Sequence, residues 1–533
     1  MTSRRSSNQE RLLAFLLDPK SYPHRPRKVQ PVQTHASFVF IAPPFVLKVK
    51  KPVDFGFLDF STLEKRREAC EREVALNRRL APHTYLGVVP ITRCGRGFVF
   101  NGSGKVIEYA VRMRKLSEGH FLDRLLERRK IGNSEIDRIA RTLADFYRAQ
   151  HPGPAIEDWG RVDHLRVSTD ENFRQTRRFA GKTISRPAFD AIRRYTDGFY
   201  RAHRALFEKR VRQGWIRDCH GDLHLEHIHL TSRAVTIYDC IEFNDRFRYV
   251  DVANDAAFLA MDLDYEGRPD LGRHFAGRLA HSLGDEDMPE LLDFYKCYRA
   301  FVRGKVESLH GTAPQESAEA QSAAAERARR YFRLALTYAV AGSRPTVFAV
   351  MGRIGSGKSS LARALAGELG WAAFSSDQIR KETAGLPLFE RTPSRLRSRL
   401  YSEAATLRTY RALARRVREQ LRQGHHVIVD ATFGRREQRE EFRRALRAAH
   451  CRLVFLEAHA PGAKIRTRLK QRDAGGREIS DARSEDFEKL ARSYEPPREL
   501  HRGEVLRIAS GAALHRTVAC ALEILVRTQF RRD

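Results

Sequence analysis

Gly352-Arg353-Ile354-Gly355-Ser356-Gly357-Lys358-Ser359 is the stretch on which the reading of this chain turns. It fits G-x-x-x-x-G-K-[ST], a spacing suited to a phosphate chain. Several backbone N–H groups must point inward at the anion, so glycine stands at Gly352, Gly355 and Gly357, where a Cβ would collide. Lys358 supplies a point charge for the β- and γ-phosphates, and Ser359 offers its hydroxyl to Mg²⁺. Ser356 and Ser360 complete the cradle. The surroundings agree: 347–350 is an apolar strand pattern, and 359–369 is a helix pattern whose positive end faces the anion. The competing reading is a structural glycine turn. ATP and Mg²⁺ are the cofactors expected here.

Working outward, two carboxylates extend the site. The apolar run Val427-Ile428-Val429 ends in Asp430, placed to help hold Mg²⁺; the alternative is an ordinary strand-end Asp. Ser375-Ser376-Asp377 follows another strand pattern. A carboxylate beside the γ-phosphate can take the proton from an attacking hydroxyl, which makes Asp377 the candidate base. The alternative is a helix N-cap for 378–384. Strand and helix patterns alternate from residue 347 to about 510, which predicts a parallel sheet flanked by helices.

Residues 347–505 resemble the small P-loop kinases that include the polynucleotide kinase, zeta-toxin and gluconate-kinase-like groups, also grouped with AAA-family ATPases. The matching stretches are GRIGSGKSSLARALA, SSDQIRKE, VIVDATF and KIRTRLKQRDAGGREISDA. In those kinases a mobile lid brings arginines to the transferring phosphate. The resemblance makes Arg466, Arg472 and Arg477 the lid candidates, and the crowding of arginines leaves the choice among them open.

A second constellation lies at 218–245. Asp218-Cys219-His220-Gly221-Asp222-Leu223-His224-Leu225-Glu226-His227 leads to an apolar strand that ends in Tyr238-Asp239. In phosphoryl transfer one carboxylate orients the acceptor hydroxyl and another grips Mg²⁺, roles that fall to Asp222 and Asp239. This stretch resembles the aminoglycoside phosphotransferase branch of the protein-kinase-like fold, whose loop reads H-G-D-x-x-x-x-N. By that resemblance Lys48 is the phosphate-binding lysine, with Lys50 its rival. Glu71 or Glu73 would pair with it, and Val111-Arg112-Met113 would form the adenine hinge. The resemblance covers about residues 30–310.

One departure matters. Where that family has Asn, this chain has His227. Asn offers Mg²⁺ a hard oxygen, whereas imidazole nitrogen suits Mn²⁺ or Zn²⁺ better. No glycine-rich loop stands between Thr34 and Phe45. His227 is carried as a metal candidate, and the domain is read as either relaxed in metal use or catalytically impaired. His220, His224, His227 and His229 also invite a zinc reading. Gly221 argues for a loop there and no cysteine pair completes a set, so loop histidines bonded to carboxylates are expected instead.

At 533 residues the chain exceeds what one hydrophobic core usually fills. The expected fold class is α/β and α+β in two domains: an N-terminal protein-kinase-like bilobal fold and a C-terminal P-loop NTPase parallel sheet flanked by helices. The limits expected are 1–315 for the first, 316–343 for an Ala-rich helical linker (rigid bridge or tether), and 344–533 for the second. Helices are expected at 61–80 and 134–149, and a hairpin at 96–113 around Asn101-Gly102-Ser103-Gly104.

There are 97 basic against 66 acidic residues, a formal charge of +31. The excess is spread along the chain, which reads as arginine-rich solvated helix faces rather than a nucleic-acid arm. It also disfavours a polycationic drug as substrate. Seven scattered cysteines without a CxxC pair read as reduced thiols in the cytoplasm. No secretory signal or apolar run long enough to span a bilayer is expected. The function expected is ATP-dependent phosphoryl transfer to an unknown hydroxyl acceptor, with the chemistry in the P-loop domain. The whole resembles bacterial fusions of an aminoglycoside phosphotransferase-like domain with an ATP-binding domain. The alternatives are a regulatory ATP-binding or ATPase module with an N-terminal pseudokinase, and a nucleic-acid 5′-hydroxyl kinase.

Overall fold

The computed structural model describes residues 2–314, 316–390, 392–475, 479–481, 485, 487–501 and 503–530. The chain folds into two compact units, Met1–Leu165 with Ala205–Leu292, and Arg166–Arg204 with Asp293–Asp533. The fold class expected from the sequence is the one found: mixed α/β, with an antiparallel sheet in the first unit and a parallel sheet in the second.

In the first unit, strands β1 (Gln30–Gln33), β2 (Ser37–Ala42), β3 (Phe45–Lys50), β4 (Tyr85–Cys94), β5 (Gly97–Phe100) and β6 (Val106–Arg114) form one sheet in the order β1-β2-β3-β6-β4-β5. Alternation sorts its two faces. Phe40, Leu47, Val49, Ile91 and Ala110 pack with Leu16 and Tyr22 on one side. Val111, Met113 and Tyr85 meet Cys70 and Val74 of the helix Leu63–Asn77 on the other. The helix expected at 134–149 is Asn133–Ala149. The expected hairpin at 96–113 is corrected. β5 and β6 do not pair with each other; each pairs antiparallel with β4. The tight turn is at Gly95-Arg96, where Cys94 faces Gly97, and Gly95 takes the left-handed φ of 56° that such a turn favours.

Four short strands follow in this unit: β7 (Ile216–Asp218), β8 (Ile228–Leu230), β9 (Val235–Ile237) and β10 (Tyr249–Asp251). β7 pairs with β10 and β8 with β9. They hold the loops that carry Asp222 and Asp239.

In the second unit, β11 (Thr346–Met351), β12 (Ala372–Ser375), β13 (Val427–Asp430), β14 (Arg452–His459) and β15 (Val505–Ala509) run parallel in the order β12-β13-β11-β14-β15. β11 is buried along its whole length, as a continuous apolar run in a doubly covered parallel sheet should be. Val347, Ala349, Val429 and Phe455 pack against Leu413, Ala414 and Val417 of the helix Glu403–Arg422. The strand after β11 in the chain goes to one side of the sheet and β14 to the other, which opens a crevice at the C-terminal end of β11.

Residues 316–343 contain the helix Ala318–Val340, whose Ala335, Leu336, Ala339 and Val340 are buried inside this second unit. Residues 166–204 and 293–314 pack there too, whereas the linear division of the sequence assigns them to a first domain of 1–315. Among the described residues no helix is long and apolar enough to cross a membrane. All seven cysteines are free thiols.

Candidate functional site

The crevice above β11 is where the glycine-rich turn lies. Gly352, Gly355 and Gly357 have φ of 143°, 70° and 92°, a region that L side chains rarely enter. A Cβ on Gly352 would lie 2.6 Å from the Ala458 carbonyl oxygen, one on Gly355 2.8 Å from Ile465 Cγ2, and one on Gly357 2.9 Å from Arg468 Nη1. Gly355→Ala is therefore expected to destabilise the protein by about 1–3 kcal/mol through backbone strain and overpacking. Urea unfolding checks this, and an unchanged midpoint would contradict it.

The turn passes into the helix Lys358–Leu369, so Lys358 and Ser359 occupy its first turn, at the positive end. The Ser359 hydroxyl lies beside the Asp430 carboxylate at the end of β13. Asp430 is 8% exposed. Burial pushes its carboxyl up from the usual range, opposed by Lys358 and Ser359. Asp430 Oδ1 and Ser356 Oγ are buried and have no hydrogen-bond partner among the described residues. A buried carboxylate oxygen without a partner, beside a serine hydroxyl and a glycine cradle, fits Mg²⁺ and a nucleotide phosphate chain. Ser359 and Asp430 would hold the ion.

A cavity of about 630 Å³ opens over this turn. Lys358, Ser359, Ser360, Asp377, Asp430, Arg468 and Arg472 line it. A second cavity, of about 640 Å³, is lined by Arg380, Arg397, Tyr401, Glu403, Tyr410 and Arg435. Both have the size of small-molecule sites. Lys358, Asp377, Arg472 and Ser480 line both cavities, so they mark the boundary between them. Asp377 lies in the first turn of the helix Ser376–Thr383, whose N-cap is Ser375. The sequence alternative of Asp377 as an N-cap is thus not what forms.

The arginines expected of a lid sort by helical position. Arg468 and Arg472 stand four apart on the helix Gly462–Gly475, on one face, and both reach the first cavity. Arg468 donates to the carbonyl oxygens of Ser356, at 3.1 Å, and Ser510, at 2.7 Å. Arg466 lines neither cavity. It is 59% exposed and lies 3.8 Å from Glu488, with its guanidinium over Phe487. Arg477 lies outside the described residues. Arg468 is the residue that sequence reasoning missed, and the i,i+4 spacing to Arg472 was the available signal.

In the first unit, β3 carries both lysines on one face. Lys48 Nζ lies 2.9 Å from Glu73 Oε1 and 2.6 Å from Asp239 Oδ1. Lys50 lies 2.5 Å from Glu73 Oε2 and also pairs with Glu242. Glu73 is the fully buried partner, and Glu71 is exposed. Burial opposes the charge on Lys48, but Asp239 and Glu73 hold its pKa well above the ordinary value. Val111, Arg112 and Met113 belong to β6 and pair with both β3 and β4.

The loop after β7 is pinned from below. Asp255, fully buried, accepts from the backbone N–H of His220 at 3.0 Å and of Gly221 at 2.8 Å. His220 Nε2 meets the Tyr238 carbonyl at 2.9 Å, and His229 Nε2 meets Ser117. Asp222 then faces two imidazoles: His224 Nε2 and His227 Nδ1 each lie 3.5 Å from its Oδ2. His227 Nε2 is 3.6 Å from Asp239 Oδ2. Burial, with His224 alongside, depresses His227 to about 4, so the ring is neutral near pH 7. This donor set mixes imidazole nitrogens with carboxylates. It does not fit Mg²⁺, which takes oxygen ligands.

A family model described as an AAA domain matches residues 347–497. Proteins of Mycobacterium tuberculosis and Mycobacterium bovis, each named as uncharacterised, are 34% identical over 461 residues, which cover 86% of this chain and 89% of theirs. The chain belongs to that mycobacterial family. Its relatives span both units, so the pairing of the two is a property of the family. Among solved structures, a gluconokinase from Sinorhizobium meliloti 1021 is 22% identical, covering 34% of this chain and 93% of its own, with a TM-score of 0.26. A choline kinase from Cryptosporidium parvum Iowa II is 12% identical, covering 61% of this chain and 94% of its own, with a TM-score of 0.38.

Proposed function

We propose that the P-loop unit is an ATP-dependent phosphotransferase that moves the γ-phosphate of ATP onto a hydroxyl of a small, anionic acceptor. The observation that carries this reading is the placement of Asp377, with Lys358 and Arg472, on the wall shared by two cavities. One cavity lies over the phosphate cradle and the other opens beyond it. Hydrolysis of ATP by water alone calls for no second cavity of this size.

The roles follow from position. The glycine turn and Lys358 would bind the β- and γ-phosphates, and Ser359 with Asp430 would hold Mg²⁺. When bound there, Mg²⁺ would offset the negative charge of the phosphates. Asp377 accepts the proton of the acceptor hydroxyl as that oxygen bonds to the γ-phosphorus. The bond from phosphorus to the bridging oxygen breaks, and ADP leaves with that electron pair. Arg468 and Arg472 stand over the charge that develops.

The second cavity supports an anionic acceptor. Arg380 is 7% exposed, and no carboxylate pairs with it among the described residues. Its Nη1 donates to the Leu400 carbonyl at 3.0 Å and to Thr406 Oγ1 at 3.2 Å, and its guanidinium lies over the Tyr401 ring. Its Nε is buried without a partner. A carboxylate or phosphate on the acceptor would complete it. Arg380→Gln is expected to raise the acceptor KM about 10–100-fold, the worth of a charged hydrogen bond, with kcat little changed. Arg380→Lys should recover part of the loss. An unchanged KM in Arg380→Gln would remove Arg380 from acceptor binding.

The test is ³²P transfer from ATP to a panel of sugar acids, sugar phosphates, nucleotides, 5′-hydroxyl oligonucleotides and aminoglycosides. Transfer to an acidic small molecule supports the reading. Transfer to oligonucleotides alone would favour the end-kinase alternative. ATP binding with no transfer would favour the regulatory module. For the first unit, His227 favours a phosphotransferase-like scaffold over a second Mg²⁺-dependent kinase.

A further inference from the structure

The loop after β7 gathers three side chains that the P-loop chemistry does not use. Asp222, His224 and His227 each offer one ligand atom, and these atoms all lie within 4.8 Å of one another. Two of its edges, Asp222 to His224 and Asp222 to His227, are 3.5 Å. Zinc bonds to nitrogen or oxygen of about 2.0–2.2 Å at the tetrahedral angle put neighbouring ligands about 3.3–3.6 Å apart. The two edges already match that spacing.

We propose that Asp222, His224 and His227 form a three-ligand site for a divalent transition metal, with Zn²⁺ the best match and a fourth position open to water. The surroundings supply what such a site needs. Asp239 stands 3.6 Å from the far nitrogen of His227. A small closing movement on binding would let that carboxylate receive Nε2–H and leave the Nδ1 lone pair for the metal. Without metal, Nδ1 lies 2.9 Å from the Asp222 carbonyl oxygen, which it meets as a donor. Binding therefore shifts Nδ1 off that carbonyl and places the ring proton on Nε2 by exchange through solvent. The His224 ring lies 3.9 Å from that of His227, centroid to centroid, and is itself buried, while Asp222 is partly exposed and gives the ion a way in. His220 and His229 are turned to Tyr238 and Ser117 and take no part.

The proposal has a functional consequence. Asp222 is the carboxylate that an acceptor hydroxyl would need in this unit. A metal bound to it occupies that carboxylate, so metal loading and phosphoryl transfer exclude each other in this unit.

The test uses the full chain, stripped with a chelator and titrated with Co²⁺, whose tetrahedral sites give intense visible bands. One Co²⁺ per chain with tetrahedral bands is expected, displaced by Zn²⁺ and not by excess Mg²⁺. His227→Asn and His224→Gln should each abolish the bands, and Asp239→Asn should weaken binding about 10–100-fold. Near-UV circular dichroism establishes that each variant is folded. His227→Asn, which introduces the amide, keeps the test open if His224→Gln fails to fold. The proposal is overturned if wild type gives no tetrahedral bands. It is equally overturned if the bands persist in a folded His224→Gln/His227→Asn double variant, or if Asp222→Asn leaves them unchanged.

Discussion

Asp377→Asn is expected to lower kcat for phosphoryl transfer about 10²–10⁴-fold, the usual worth of a positioned general base, while ATP binding stays close to wild type. The substitution keeps the shape of the side chain and its place in the first helical turn, but an amide cannot take the proton of the acceptor hydroxyl. Asp377 lines both cavities, so the effect belongs to the transfer step rather than to either binding event alone. If the carboxylate served only the helix end, its loss would cost about 0.3–1 kcal/mol of stability and leave kcat untouched. Steady-state kinetics with the acceptor varied, alongside ATP titration by calorimetry, separates the two. An unchanged kcat would contradict the assignment.

Lys358→Ala is expected to cost about 10²–10³-fold in kcat, as the loss of one preorganised donor to a developing charge does, and to weaken ATP binding as well. Lys358 sits in the first turn of its helix and lines both cavities. It also relieves the buried Asp430, whose carboxyl is pushed up by desolvation. Removing it leaves Asp430 with less compensation, so the Mg²⁺ requirement should rise in parallel. Lys48→Ala offers the contrast. Lys48 pairs with Glu73 and Asp239 in the first unit, so its loss should not lower transfer at the P-loop. A larger loss in Lys48→Ala than in Lys358→Ala would move the chemistry to the first unit.

Much of the P-loop crevice was legible because the chemistry dictates local sequence. Positive φ at three points of the turn demands glycine, and an apolar strand ending in Asp430 is a local pattern. The arginines over the cavity were less legible. Arg466 and Arg468 are two residues apart on one helix, hence on different faces, and only the fold shows which face looks into the cavity. Glu73 over Glu71 was readable in principle. Cys70, Glu73, Val74 and Asn77 are buried at i, i+3, i+4 and i+7, so the inward stripe includes Glu73. The 96–113 hairpin failed because Asn101-Gly102 is a strong turn signal, while Gly95-Arg96 had already closed the tighter turn onto β4. The packing of 166–204 with the parallel-sheet unit depends on contacts far apart in sequence, which no local pattern carries. The histidine loop was read by residue type, yet the grouping of Asp222 with His224 and His227 depends on the short helical turn at Leu225–His227.

The most direct test of where the chemistry resides compares ³²P transfer from Mg²⁺-ATP to an acidic hydroxyl acceptor in wild type, Asp377→Asn and Asp222→Asn. Transfer in Asp377→Asn should fall at least about a hundredfold further than in Asp222→Asn, as loss of the transferring base requires. The reverse order, with transfer abolished in Asp222→Asn and retained in Asp377→Asn, would contradict a phosphotransferase centred on the P-loop.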